Sequence, residues 1–147
     1  MEKVSWNEFI EHIDNLIKMM KDYRPDVIVP SMVGGLIPAG ILAEKLNIKD
    51  VRPISIERVG EERRIVYDVQ GNIKGKNILL LEDDLPTGKG FVYVKKVLED
   101  RGAKVKIAAV HVNNISREIA DFYGKYIDPL PNLPWKPSRF GDRIVKK

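Results

Sequence analysis

Residues 78–81, Ile-Leu-Leu-Leu, are apolar without a break and run directly into Glu82, Asp83 and Asp84, then Leu-Pro-Thr-Gly-Lys-Gly at 85–90. A short apolar run that does not alternate predicts a strand buried on both faces, which requires helices on both sides of a parallel sheet. Residues 87–102 continue as a turn and a helix ending at Gly102. The same order occurs earlier. Residues 26–32 read as a short buried strand, 33–40 (VGGLIPAG) as a glycine-rich turn, and 41–47 as a helix closed by Asn47. Strand, glycine turn, helix, strand thus recurs twice, predicting an α/β fold: a mostly parallel twisted sheet flanked by helices.

The remaining segments fit around this frame. Ser5 and Glu8 form a capping box, followed by Trp6, Phe9, Ile10, Ile13, Leu16, Ile17 and Met20 at helical spacing. Pro25 disfavours helix at Arg24, so this first helix is expected to end near Tyr23. His12 lies beside the apolar stripe and reads as a helix-surface or boundary residue. Residues 51–58 and 63–69 read as strands, with a turn or mobile loop within about 57–70. Residues 104–112 read as a strand and 116–124 as a short helix. From Asp128 the chain carries four prolines by Pro137, which predicts an extended, packed arm over 128–147. At 147 residues, one domain over 1–147 is expected.

Several functions are excluded by residue usage. There is no cysteine, so disulfide, thiolate and cysteine-zinc chemistry are absent, and His12 and His111 alone are too few for a histidine-rich metal site. No apolar run approaches the roughly 20 residues that span a bilayer, and the first residues resemble no targeting segment, so a cytoplasmic protein without membrane contact is expected. The net charge of +4 favours anions weakly. Lys136, Arg139, Arg143, Lys146 and Lys147 make the tail basic, but no aromatic ladder accompanies them. A nucleic-acid partner is therefore not expected.

The acid cluster and the glycines carry the chemistry. A nucleotide P-loop would need glycine where Asp83 stands and Ser or Thr where Gly90 stands, and no GxGxxG opens a helix. Read as it stands, the turn Thr87-Gly88-Lys89-Gly90 offers helix-start amides and a hydroxyl to a phosphate monoester. Glu82 and Asp83, placed where the strand ends, suit diol hydroxyls or magnesium carried in by the ligand. A 5-phosphorylated ribose has both features.

The stretch ILLLEDDLPTGKG resembles the phosphoribosyl-pyrophosphate motif of type I phosphoribosyltransferases. VPSMVGGLIPAG is similar to their pyrophosphate loop, and the late Pro134-Trp135 pair resembles the compact xanthine-guanine branch. The resemblance covers most of residues 25–135. It implies transfer of ribose 5-phosphate from phosphoribosyl pyrophosphate to a nucleobase, a purine by this branch, with Mg2+ and release of pyrophosphate. It also implies a homo-oligomer. On this match Asp83 and Asp84 are catalytic. Glu82, Asp83, Leu85, Pro86, Thr87, Gly88, Lys89 and Gly90 bind ribose and phosphate, and Glu82 and Asp83 meet the substrate-borne magnesium. Val33, Gly34 and Gly35 form the pyrophosphate loop, Arg63 and Arg64 belong to the mobile hood, and Asn113, Leu130 and Trp135 fall at the base pocket.

The sequence departs from the pattern at defined points. Val33 replaces a basic residue, for which Arg63 and Arg64 could compensate. The acids align without a gap as Glu82-Asp83, or with a one-residue deletion as Asp83-Asp84-Leu85; either way the base-proximal aspartate is absent, and ungapped Pro86 takes its place. Gly90 replaces a threonine. Asn113 replaces a purine-reading lysine and could read a base edge or cap a turn. Leu130 falls near the stacking tryptophan, so Trp135 or Phe140 could supply an aromatic face or simply pack the arm. Three readings remain open: an active transferase, a non-enzymatic member that binds nucleotide or phosphoribosyl pyrophosphate as a regulator, and an unrelated sugar-phosphate-binding domain.

Overall fold

The structure is a computed structural model that describes residues 2–136, 144 and 146. Its helices are α1 (Trp6–Met20), α2 (Leu36–Leu46) and α3 (Lys89–Asp100). The strands are β1 (Val27–Pro30), β2 (Ser55–Val59), β3 (Glu62–Tyr67), β4 (Asn77–Leu85), β5 (Lys104–Val112) and β6 (Phe122–Tyr126). Strands β1, β4, β5 and β6 form one parallel sheet in the order β1-β4-β5-β6, with Leu80 of β4 paired to Val29 and Ile107. Residues 50–54 run beside β1 through backbone bonds from Ile28, Arg52 and Ile54.

Two apolar layers explain the unbroken run in β4. Ile78 and Leu80 face α3 with Val94 and Leu98. Leu79 and Leu81 face α1 and α2 with Phe9, Ile13, Leu16 and Leu42. All four β4 side chains are fully buried, and each is worth about 1.5–3 kcal/mol against exposure. The expected sheet, covered on both faces, is the one observed.

Boundaries depart from expectation where side chains meet backbone groups. The Ser5–Glu8 capping box is present, but α1 stops at Met20, because Lys21 turns to φ 52. Helix α2 begins at Leu36, five residues before Ile41. Pro38 falls in its first turn, where a missing N–H costs nothing. The strands expected at 51–58 and 63–69 are present as β2 and β3, paired in an antiparallel hairpin with Gly60 at φ 63 in the turn expected between them. The expected helix over 116–124 is a 3-10 turn at Ser116–Glu118 followed by β6. Two contacts account for it. The Asn113 carboxamide oxygen accepts the amides of Ile115 and Ser116, holding the turn. At Gly124 a Cβ would strike the His12 carbonyl and lie 2.8 Å from the Val110 carbonyl, so glycine lets β6 lie flat against α1.

The arm is irregular through Lys136, as its prolines demand. It is tied back to the N-terminus by Val4 N–H to the Asn132 carbonyl (3.0 Å) and Asn132 N–H to the Glu2 carbonyl (2.8 Å). Phe140, Arg139, Arg143 and Lys147 lie outside the described residues. Among the described residues no helix is long and apolar enough to cross a membrane.

Candidate active site

The acids do not follow the strand; they belong to it. Strand β4 extends to Leu85, four residues further than expected. Period-2 alternation would send Asp83 and Asp84 to opposite faces, yet it is interrupted here. Leu80 and Leu85, five apart, lie in one apolar layer, as do Ala109 and Val112, three apart. Both strands shift together, since Asp84 pairs with His111 and Leu85 with Val112. The consequence is that Asp83 and Asp84 both reach partners on the α1 side.

Asp83 is 2 % exposed. Its Oδ1 accepts the Asp84 amide (2.6 Å), and its Oδ2 accepts the Trp135 Nε1–H (3.3 Å) and faces the Lys136 ammonium (3.1 Å). Trp135 stands edge-on to Phe9, with ring centres 4.3 Å apart, and beside Trp6. Trp135 therefore packs the arm and also donates to the acid segment. Glu82 is half-buried and accepts the Asp83 amide (3.1 Å). Burial, then the Asp83 charge beside it, pushes Glu82 up to about 9, so it holds a proton at neutral pH.

That shift predicts a pH dependence of stability. Folded Glu82 keeps a proton that the unfolded chain releases near its ordinary 4.5. Its contribution is therefore complete below that value and declines as pH rises toward about 9. Glu82→Gln should flatten the decline. Melting temperatures of the two proteins compared at pH 5 and pH 8.5 check this: the variant should gain several degrees on the parent at the higher pH, and a constant difference would refute the assignment.

The pyrophosphate-loop residues meet the acids directly. A Cβ at Gly34 would lie 2.7 Å from the Asp83 carboxylate. Gly35 donates to the Ser31 carbonyl (2.8 Å) and Ser31 donates to the Leu81 carbonyl (3.1 Å), fixing the loop on β4. The Val33 and Gly34 amides have no partner among the described residues, and Val33 is 75 % exposed with its valine side chain outward.

The second loop lies at the end of the same strand. Gly88 caps α3 in the left-handed region at φ 78, where a Cβ would press on Ile119 at 2.8 Å. Thr87 Oγ1 accepts the Lys89 amide (3.3 Å), while the Gly88 and Gly90 amides have no partner among the described residues. Pro86, Thr87 and Lys89 are exposed and Leu85 is buried. A Cβ at Gly90 would reach Ile56 of the hairpin at 2.8 Å and come within 3.9 Å of Arg63 Nε, so the hairpin occupies the space a threonine would need. Of the two hood arginines, Arg63 thus stands beside the α3 N-terminus, whereas Arg64 is paired with Glu57.

The other expected base-pocket residues are less closely tied. Asn113 follows β5 at the same edge, but its carboxamide oxygen is committed to the Ile115, Ser116 and Ser116 Oγ donors. Capping is thus its observed role. Leu130 is half-buried, with no contact joining it to the acids among those described.

The two imidazoles, read as unremarkable in the sequence, are joined. His111 Nδ1 lies 2.8 Å from Asp84 Oδ1, and His111 Nε2 lies 2.7 Å from His12 Nδ1. His12 is 5 % exposed and His111 fully buried, so the surface reading of His12 is corrected. Its place was indicated by Phe9, Ile13, Leu16 and Met20, which share its buried helical stripe. Burial, and next the cost of a second positive charge beside His111, lowers His12 to about 4, and burial raises Asp84 against the opposing hydrogen bond from His111.

With two glycine loops, an acid strand and a hairpin at the carboxyl edge of a parallel sheet, the kind of protein is defined. Residues 5–141 match the phosphoribosyl transferase domain family, and the chain belongs to it. A purine phosphoribosyltransferase from Pyrococcus horikoshii Ot3 shares the fold at a TM-score of 0.84 and 27% identity, with 100% of both chains covered. The xanthine-guanine phosphoribosyltransferase of Idiomarina loihiensis is 25% identical over 142 residues, covering 90% of this chain and 84% of that protein. The hypoxanthine-guanine phosphoribosyltransferase of Lactococcus lactis is 43% identical over 49 residues, which are 33% of this chain and 27% of that enzyme. The chain thus spans about a quarter of the length of that relative.

Proposed function

We propose that this protein is a cytoplasmic phosphoribosyltransferase, one domain over 1–147, that moves ribose 5-phosphate from phosphoribosyl pyrophosphate to a purine and releases pyrophosphate. One observation carries the reading. Gly34 of the first glycine loop lies so near Asp83 that a Cβ there would come within 2.7 Å of the carboxylate, and the strand bearing Asp83 leads into the second glycine loop. The first loop thus lies beside the acid segment and the second follows it at the end of the same strand.

The roles follow from the groups available. Amides of Gly88 and Gly90, the Thr87 hydroxyl and the α3 N-terminus take the 5-phosphate, with Arg63 adding charge beside them. The Val33 and Gly34 amides take the leaving pyrophosphate. Glu82, Asp83 and Asp84 face the ribose, and the Asp83 and Asp84 carboxylates stabilise the positive sugar that develops as its C1–O bond breaks. Asp83 is closed by Trp135 and Lys136, so donor binding moves Lys136 aside and brings Trp135 to the base. Asn113 keeps an amide N–H for a base edge, and Leu130 adds apolar surface.

The donor set suits magnesium carried by the substrate. Glu82 and Asp83 are adjacent hard oxygen donors, one holding a proton that a cation would replace and the other already facing an ammonium. When bound, Mg2+ neutralises the diphosphate as it leaves.

Thr87→Val should weaken ribose 5-phosphate binding about fivefold, near 1 kcal/mol, by removing one hydroxyl donor. Calorimetry checks it, and affinity equal to the parent's would move the phosphate elsewhere. The activity is tested by incubating the protein with phosphoribosyl pyrophosphate, Mg2+ and each common nucleobase. Pyrophosphate release with a purine supports the transferase. Binding without release for every base would favour a non-enzymatic sensor of phosphoribosyl pyrophosphate or nucleotide, a reading favoured by the cap that Trp135 and Lys136 place on Asp83.

A further inference from the structure

Among the described residues the Asp84–His111–His12 chain crosses from β4 through β5 to α1, its two histidines 99 residues apart, and none of the roles above uses those imidazoles. Asp84 differs from its neighbour. One oxygen is held by His111, while Oδ2 has no hydrogen-bond partner among the described residues and the side chain is 14% exposed. A carboxylate turns easily about its last torsion, so an acid that must present one oxygen to a ligand gains from having the other fixed.

His111 is built to fix it. An ionised carboxylate only accepts, so Nδ1 of His111 carries the proton toward Asp84. In the neutral chain Nε2 of His111 then accepts, and His12 Nδ1–H donates to it. Neither ring can turn without breaking a buried bond. The His111 ring is also edge-on to Phe9, at 5.9 Å and 73°. His12 is anchored by α1, with the β6 backbone pressed against its carbonyl at Gly124. Glu8 and Lys125 stand near His12, and Asp83 and Lys136 near Asp84.

We propose that His111 and His12 are positioning residues for Asp84, holding its Oδ1 so that Oδ2 meets a ribose hydroxyl of the bound phosphoribosyl donor. This rests on the reading above, and the alternative is a polar cluster that merely satisfies itself in the core. The two make different demands on the side chain at 111. In His111→Asn the amide N–H overlays Nδ1 and still reaches Asp84. In His111→Gln the carboxamide lies over Nε2, where its oxygen accepts the His12 N–H, and Asp84 is abandoned.

The test combines binding and spectroscopy on the full chain. Calorimetry with phosphoribosyl pyrophosphate and Mg2+ should give His111→Gln an affinity at least tenfold below that of His111→Asn, with thermal melts of the two variants within a few degrees. Nitrogen-15 spectra of the unliganded parent should show both imidazoles protonated at Nδ1. Equal affinities for the Asn and Gln variants, or an Nε2-protonated His111, would overturn the positioning role while leaving the transferase reading intact. A parent that binds no phosphoribosyl pyrophosphate would overturn both.

Discussion

Replacing Asp83 with asparagine should weaken phosphoribosyl pyrophosphate binding at least tenfold, about 1.4 kcal/mol, and destabilise the fold as well. The carboxylate accepts an amide, an indole N–H and an ammonium within one buried site. An asparagine keeps one accepting oxygen and turns an N–H toward Trp135 Nε1 or Lys136, both of which are donors. A buried donor facing a donor costs about 1–3 kcal/mol. Calorimetry reads the first effect and urea denaturation the second. Unchanged affinity would remove Asp83 from the sugar site, whatever happened to stability.

Gly35→Ala should be more damaging still to the fold, by about 3 kcal/mol. The added Cβ would lie 2.5 Å from the Leu81 carbonyl and within 2.8 Å of the Ser31 carbonyl and amide. All are backbone atoms, so no side chain can swing away. The loop would have to rise off β4, carrying the Val33 and Gly34 amides with it, and pyrophosphate affinity should fall together with stability. Gly40→Ala is the control, since a Cβ there meets nothing within 4 Å in an exposed part of α2. The alanine at 35 should lower the melting point by about 10 °C in a domain of this size, and the control should not lower it. Equal melting points would mean the loop is seated differently.

What could be read from the sequence was local, or followed from periodicity. The capping box at Ser5 and Glu8, the β4 run and the turn into α3 each depend on a few adjacent residues, and each is present. Features set by groups distant in sequence could not be read the same way. Strand β6 exists because Gly124 admits the α1 backbone and Asn113 captures two amides that a helix would need. The expectation that β4 ends before Glu82 failed because the strand was bounded by its apolar run, which stops at Leu81. Here the paired strands break their alternation together, and Trp135, Lys136 and His111 wait on the α1 side. His12 is expected beside the helix stripe and His111 falls in an apolar strand; only tertiary structure buries both and brings their nitrogens within hydrogen-bonding distance.

The site residues stand or fall on whether acids and phosphate loop hold one molecule. Titration of the nitrogen-15 labelled protein with ribose 5-phosphate, following backbone amides, decides it. Gly88, Lys89 and Gly90 should shift together with Glu82, Asp83 and Asp84, and both segments should saturate with a single dissociation constant. Shifts confined to one segment, or two segments saturating at different concentrations, would contradict it.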